Sequence, residues 1–172
     1  RRCGVMSLNK YQEHLFVLPE DEANEKIAHG FTLFHEIANR KINVLPIVGG
    51  WLKVLDDFKK VHLSEMQNYP KRLMVLLIDF DNEYEDKIEK IKVVIPTQLQ
   101  NRVFVLGVLD EPEKLNSRLG FTGFETIGQQ LAKDCYEQKI DGSLWAHDHL
   151  KHNIPEIQRM QQIVRPFLFI SN

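Results

Sequence analysis

Leu73-Met74-Val75-Leu76-Leu77-Ile78-Asp79-Phe80-Asp81 sets six apolar residues in a row directly before two aspartates spaced by one. An uninterrupted apolar run of this length predicts a strand buried on both faces of a parallel sheet, with the carboxylates where the strand leaves the core. Side chains alternate along an extended chain, so positions 79 and 81 face the same way if strand geometry persists through them. Two anions facing one spot repel each other unless a cation or a hydrogen-bond network offsets the repulsion. A hard divalent ion such as Mg²⁺ is the usual partner of such a pair.

The same signature recurs on either side. Leu15-Phe16-Val17-Leu18 reads as a first buried strand, closed by Pro19 and followed by Glu20-Asp21-Glu22, acids suited to the first turn of a helix. The spacing of Ile27, Phe31, Phe34 and Ile37 predicts that helix over 22–38. A second strand is expected at 42–48, although Pro46 cannot donate to a ladder, and it ends in Gly49-Gly50 before a helix over 51–66. A short helix over 86–94 leads to a fourth strand at 102–109. Strands alternating with helices imply crossover connections, hence a Rossmann-like, mainly parallel four-stranded α/β sheet flanked by helices. After Leu109 the pattern turns helical, at 113–119, 124–138 and 144–165, with Pro155 starting or kinking a helix. No repeat or low-complexity linker interrupts the chain. It reads as a single domain over 1–172, with a core at 12–110 and an α-helical C-terminal extension at 111–172.

At 172 residues and 43% hydrophobic content the chain can bury one sizeable core. A net charge of −2 gives no global attraction for nucleic acid or an anionic membrane, so such a partner must be met by a local patch or a metal. Cys3 and Cys135 are far apart with no CxxC pair, which argues against a zinc ribbon or disulfide framework and suits a reducing, cytoplasmic setting. No stretch is apolar enough to span a bilayer, and Arg1-Arg2-Cys3-Gly4 lacks the hydrophobic core of a signal peptide.

Chemistry in open parallel sheets collects beyond the carboxyl ends of the strands. Here those ends carry Glu20, Gly49-Gly50, and Asp79 with Asp81. A glutamate after the first strand, glycines after the second and a DxD after the third resemble the TOPRIM domain of topoisomerases, bacterial primases, OLD-family nucleases and ribosomal-RNA maturases. The resemblance covers residues 12–110 and rests on order and spacing more than on any one residue. It implies that Glu20 binds metal or handles a proton in catalysis, and that Asp79 and Asp81 bind one or two Mg²⁺ or Mn²⁺ ions. Pro19 and Asp21 stand where the family often has a hydrophobic residue and a glycine, which leaves the choice among Glu20, Asp21 and Glu22 open. Glu83 and Glu85 are either further metal-site acids or the first turn of the next helix, and the second reading is preferred.

Other candidates read as structural. Gly49-Gly50 suits a tight turn rather than a phosphate cradle, since neither GxGxxG nor GxxxxGK[ST] is present. On one helix His149 and His152 are neighbours while His147 is not, so a three-histidine zinc site is geometrically poor and an exposed polar face is expected, with Trp145 and Leu150 buried. Cys135 belongs to a helical core register with Leu131. The resemblance therefore implies a small Mg²⁺-dependent nuclease acting on DNA or RNA. Lys53, Lys71, Arg72, Arg102, Lys114 and Arg118 are available to flanking phosphates. The alternative is a noncatalytic module binding nucleic acid or protein. A third reading makes Asp79 the nucleophile of a phosphoacceptor or phosphatase-like domain. Tyr69, Tyr84 and Tyr136 lack the context of a topoisomerase tyrosine. The C-terminal helices are the expected surface for a homo-oligomer or protein partner.

Overall fold

The computed structural model of the chain describes residues 7–170. Strands β1 (His14–Pro19), β2 (Ile42–Val44), β3 (Arg72–Leu77) and β4 (Val103–Leu106) form one sheet in the order β2-β1-β3-β4, and every pairing is parallel. Helices α1 (Glu22–Thr32), α2 (Trp51–Asp57), α3 (Leu63–Asn68) and α4 (Tyr84–Val94) lie between the strands. Then α5 (Pro112–Arg118), α6 (Phe124–Tyr136), α7 (Ile154–Ile163) and α8 (Arg165–Leu168) follow β4. The architecture is Rossmann-like α/β with C-terminal helices, as the alternating pattern predicts.

Strand alternation divides the core between two faces. Leu15, Val17, Leu73, Val75, Phe104 and Leu106 belong to one cluster, and Leu18, Met74, Leu76, Val103 and Val105 to the other. Residues of α2, α3 and α4, including Val54, Met66 and Ile91, cover the second face. On the first, α1 is the sole crossover helix, and a helix about 10 Å across covers roughly two strands spaced about 4.8 Å. The C-terminal helices complete the layer through Ile127, Leu131, Ile157, Val164 and Leu168. They pack close because α1 and α6 meet at glycines: a β-carbon on Gly30 would fall on the Glu125 carbonyl oxygen, and one on Gly128 on that of Ile27.

Several boundaries differ from the sequence expectation. The first helix ends at Thr32 rather than 38, and Ile37 is buried instead through an antiparallel bridge to Phe169. Strand β2 stops at Val44. Leu45 still donates to Val17 O at 2.8 Å, but Pro46 has no N–H to continue, and the strand's place at the sheet edge makes this tolerable. The helix expected over 51–66 carries a π turn at Phe58–His62 between α2 and α3, with Phe58 and Met66 both fully buried. The helix expected over 144–165 is broken into 3₁₀ turns at Leu144–Ala146 and Lys151–Asn153, then α7 and α8. Pro155 lies in the first turn of α7, where its missing N–H costs nothing.

Candidate functional site

The chain runs from β1 outward to β2, then back across to β3, so the strand order reverses between β1 and β3. In open α/β sheets the crevice for ligands lies at such a reversal, beyond the carboxyl ends of the strands. Register places Pro19 opposite Leu77, so Glu20 and Asp79 leave the sheet side by side. The Glu20 amide donates to Leu77 O at 2.9 Å, and the Asp79 amide donates to Glu20 Oε2 at 2.7 Å, so a carboxylate takes over where the backbone ladder ends. Asp21 caps α1, accepting the Asn24 amide at 3.0 Å and Asn24 Nδ2 at 2.9 Å. The same Nδ2 donates to Asp79 Oδ1 at 2.7 Å. Asn24 thus ties the helix cap to the strand end, and it is wholly buried.

Strand geometry does not persist from Asp79 to Asp81. Asp81 and Asn82 take left-handed φ values of 51° and 60°, held by amide bonds to Asp110 O at 3.1 Å and Leu109 O at 2.8 Å. The turn separates the two side chains. Asp79 is 8% exposed, whereas the Asp81 side chain is half exposed and pairs with Lys87 Nζ at 2.6 Å. Lys87, from the first turn of α4, has its side chain 2% exposed. It also donates to Asp79 O at 2.9 Å and lies 5.1 Å from the centre of the Trp51 ring.

Crowding of like charge marks the site. Burial pushes the Asp79 carboxyl up to about 8, against the pull of the Asn24 hydrogen bond and with the help of Asp21, Glu20 and Asp81. Burial also raises Glu20, the Asp79 amide opposing it and Asp21 adding to it. Among the described residues no group of three His, Cys, Asp or Glu side chains is arranged to hold a metal ion. The hydrogen bonds use Glu20 Oε2, Asp79 Oδ1 and Asp81 Oδ2, so each carboxylate keeps an acceptor oxygen. That all-oxygen donor chemistry fits Mg²⁺, which is commonly held by one or two carboxylates with waters and substrate phosphates.

The remaining candidates are placed as follows. Gly49 and Gly50 take φ of +87° and +139°, and both amides donate to Glu20 O, so these glycines make the turn that seats Glu20. Glu83 is the N-cap residue of α4, and Glu85 lies in its first turn. Of the basic residues, Arg72 and Arg102 lie at the amino ends of β3 and β4, away from the crevice. Arg72 stacks 4.1 Å from the Phe16 ring, and Arg102 donates to the carbonyls of Met66, Tyr69, Pro70 and Arg72. Lys71 pairs with Glu13 at that same end. Lys114 is at the crevice side, bound to Asp110 at 2.8 Å, and their bond lowers the Asp110 carboxyl.

The three histidines do not share a helix. His147 and His149 are 5.4 Å apart, ring to ring, while His152 turns inward to Gly107 O at 2.7 Å and packs on Phe80 and Tyr84. Trp145 and Leu150 are buried as expected. Burial pushes the Cys135 thiol up to about 12, which makes it inert, and Cys3 lies outside the described residues.

Asn24 and Lys87 were missed in the sequence reading. Lys87 carries a legible signal, since it falls at helical spacing with Tyr84 and Ile91 on the buried face of α4, where a lysine needs a partner. Asn24 has a weaker one, as the third residue after a capping aspartate. Comparison with known proteins gives no match: no family model, no curated protein and no solved structure is similar to the chain.

Proposed function

We propose that the chain is a TOPRIM-like, small Mg²⁺-dependent nuclease, a phosphodiester hydrolase acting on DNA or RNA in nucleic-acid processing or defence, in the reducing cytoplasm. One observation carries the reading: Glu20, Asp21 and Asp79 meet at the strand-order reversal with Asp81 beside them, and burial, helped by these neighbouring carboxylates, raises the Asp79 carboxyl to about 8. A buried carboxyl kept neutral by its proton can exchange that proton for a metal ion. Glu20 and Asp79 are the carboxylates that would hold it, with Asp81 at the rim. Bound Mg²⁺ would supply Lewis-acid polarisation of a scissile phosphate and a more acidic water.

The chain's own groups do the rest. Asn24 orients Asp79, Lys87 fixes the left-handed turn that carries Asp81, and the raised proton affinity of Glu20 suits it to accept a proton from an attacking water. Calorimetric titration of Mg²⁺ and Mn²⁺ into wild type and Asp79→Ala/Asp81→Ala tests the reading. Binding should be abolished by the double substitution and should be tighter at pH 8.5 than at pH 6.5, because a ligating carboxylate must first lose its proton. Labelled DNA and RNA should then be cleaved by the wild type alone.

The Lys87 ion pair favours a second reading. An ammonium already pairs with Asp81, which leaves that carboxylate less need of a metal ion. Nucleic-acid binding that is unchanged in the double variant, with no cleavage, would select it.

A further inference from the structure

Between the sheet and helices α1, α6, α7 and α8 lies a cavity of about 90 Å³, and its walls are almost wholly apolar. Leu15, Val75 and Leu106 of the strands line one side, and Ala28, Ile127 and Ile157 of the helices line the other. Native interiors hold few voids larger than one water, and an unfilled void costs stability in proportion to its volume unless its walls relax inward. Here α1 and α6 touch backbone to backbone at Gly30 and Gly128, which fixes the spacing of the two helices on that side.

Polar residues of the wall spend their groups on the protein instead. Asn153 Nδ2 donates to Gly107 O and to Leu150 O, both at 2.9 Å, Asn24 Nδ2 donates to the Asp21 and Asp79 carboxylates, and Arg165 donates to Tyr136 O at 2.9 Å. A water needs only about 10–15 Å³ but two to four polar partners, which this wall does not offer, and an ion needs more. An engineered cavity of about 150 Å³ lined by Leu, Ile and Phe stays dry and binds benzene or xenon, so a space of about 90 Å³ sets its occupant below benzene in size.

We propose that this cavity binds a small neutral aliphatic hydrocarbon of about four carbons, seated between Ala28, Val75 and Ile127. Dispersion contacts that the empty space forfeits, together with removal of the ligand's own apolar surface from water, hold it there. No hydrogen bond or charge takes part, so a carboxylate on the same chain length is excluded by the cost of burying it unpaired. The site is independent of the metal-binding reading.

Titrating isobutane under pressure into the methyl-labelled full chain, followed by NMR, is the test. Saturable shifts of the Val75, Ile127 and Val164 methyls are expected while those of Val54 and Ile91, on the opposite face of the sheet, stay still. The dissociation constant should be about 1 mM, within what about four non-hydrogen atoms allow. Isobutane should also raise the melting temperature, since it binds the folded state alone. Butanoate, which carries a comparable chain on a carboxylate, should bind at least tenfold more weakly. Ala28→Leu should abolish the shifts by filling the space, and Ala28→Val should weaken binding should Ala28→Leu fail to fold. Absence of saturable shifts in the wild type, equal affinity for butanoate, or unchanged isobutane affinity in a folded Ala28 variant would overturn the proposal.

Discussion

Asp79 and Lys87 decide what the crevice can do, and they do it by opposite routes. The buried Lys87 Nζ is matched by two oxygens, whereas Asp79 has one carboxamide donor against three neighbouring carboxylates. An aspartate in an unfolded chain ionises near pH 4, while folded Asp79 keeps its proton to about 8. Between those values the folded state holds a proton the unfolded state has lost, so stability falls as pH rises through that window and is level on either side. Asp79→Asn removes the share of the dependence that belongs to Asp79, leaving that of the raised Glu20. The variant should melt at least several degrees above wild type at pH 8.5, each pH unit between the two values being worth up to about 1.4 kcal/mol, with the difference vanishing near pH 4. Thermal melts across that range without added metal are the check, and a gap of constant size would refute the account in which burial, with the neighbouring carboxylates, raises Asp79. The sequence made Asp79 legible as a strand-end acid. It did not show that Asp81 turns away, because that depends on two left-handed residues bonded to the loop after β4, a contact between distant segments.

At the scale of elements, the strands were legible and the helix ends were not. Strand β3 was readable because a continuous apolar run has one good home, a position buried on both sides. The end of α1 was not, since Phe34 and Ile37 continue the helical period yet reach the core from an irregular segment bridged to Phe169. Periodicity reports burial, and here burial is met by a different backbone. Likewise the stretch over 144–165 holds buried residues at helical spacing, but Asn153 and His152 are drawn to Gly107 at the end of β4, breaking the helix into short turns. The α1–α6 contact rests on two glycines that the sequence does not distinguish from turn residues. Because a β-carbon at Gly128 would meet backbone rather than a flexible side chain tip, Gly128→Ala should destabilise the protein by about 3 kcal/mol, the upper range for overpacking. Urea unfolding would measure it. A substitution at Gly142, which has open surroundings apart from Lys139, is the control for a generic glycine effect; its φ of +69° makes a loss of about 1 kcal/mol the reference value.

At the scale of the molecule, the division into a core at 12–110 and a helical extension describes the order of the chain better than its packing. One apolar cluster takes Leu15 and Val75 from the sheet, Ile27 from α1, and Leu131, Trp145, Ile157 and Leu168 from the C-terminal segment. Removing everything after Asp110 would expose one entire face of the sheet apart from the part under α1. Asn153 would also be lost, and with it the side chain that pairs both the N–H and the carbonyl of Gly107. A truncated chain of residues 1–110 should therefore fail to fold cooperatively. Far-UV circular dichroism should show no sigmoidal melt and dye binding should report exposed apolar surface, while the full chain should unfold in one transition monitored identically by tryptophan fluorescence and circular dichroism. The two tryptophans make this discriminating, since Trp51 packs on the face covered by α2 and α4 and Trp145 on the face covered by the C-terminal helices. Substituting each in turn by phenylalanine assigns the fluorescence change to one layer. Coincident midpoints would mean that the crevice between β1 and β3 depends on helices far along the chain. Separate midpoints would mean that the sheet with α2–α4 is a unit able to present Glu20 and Asp79 without them.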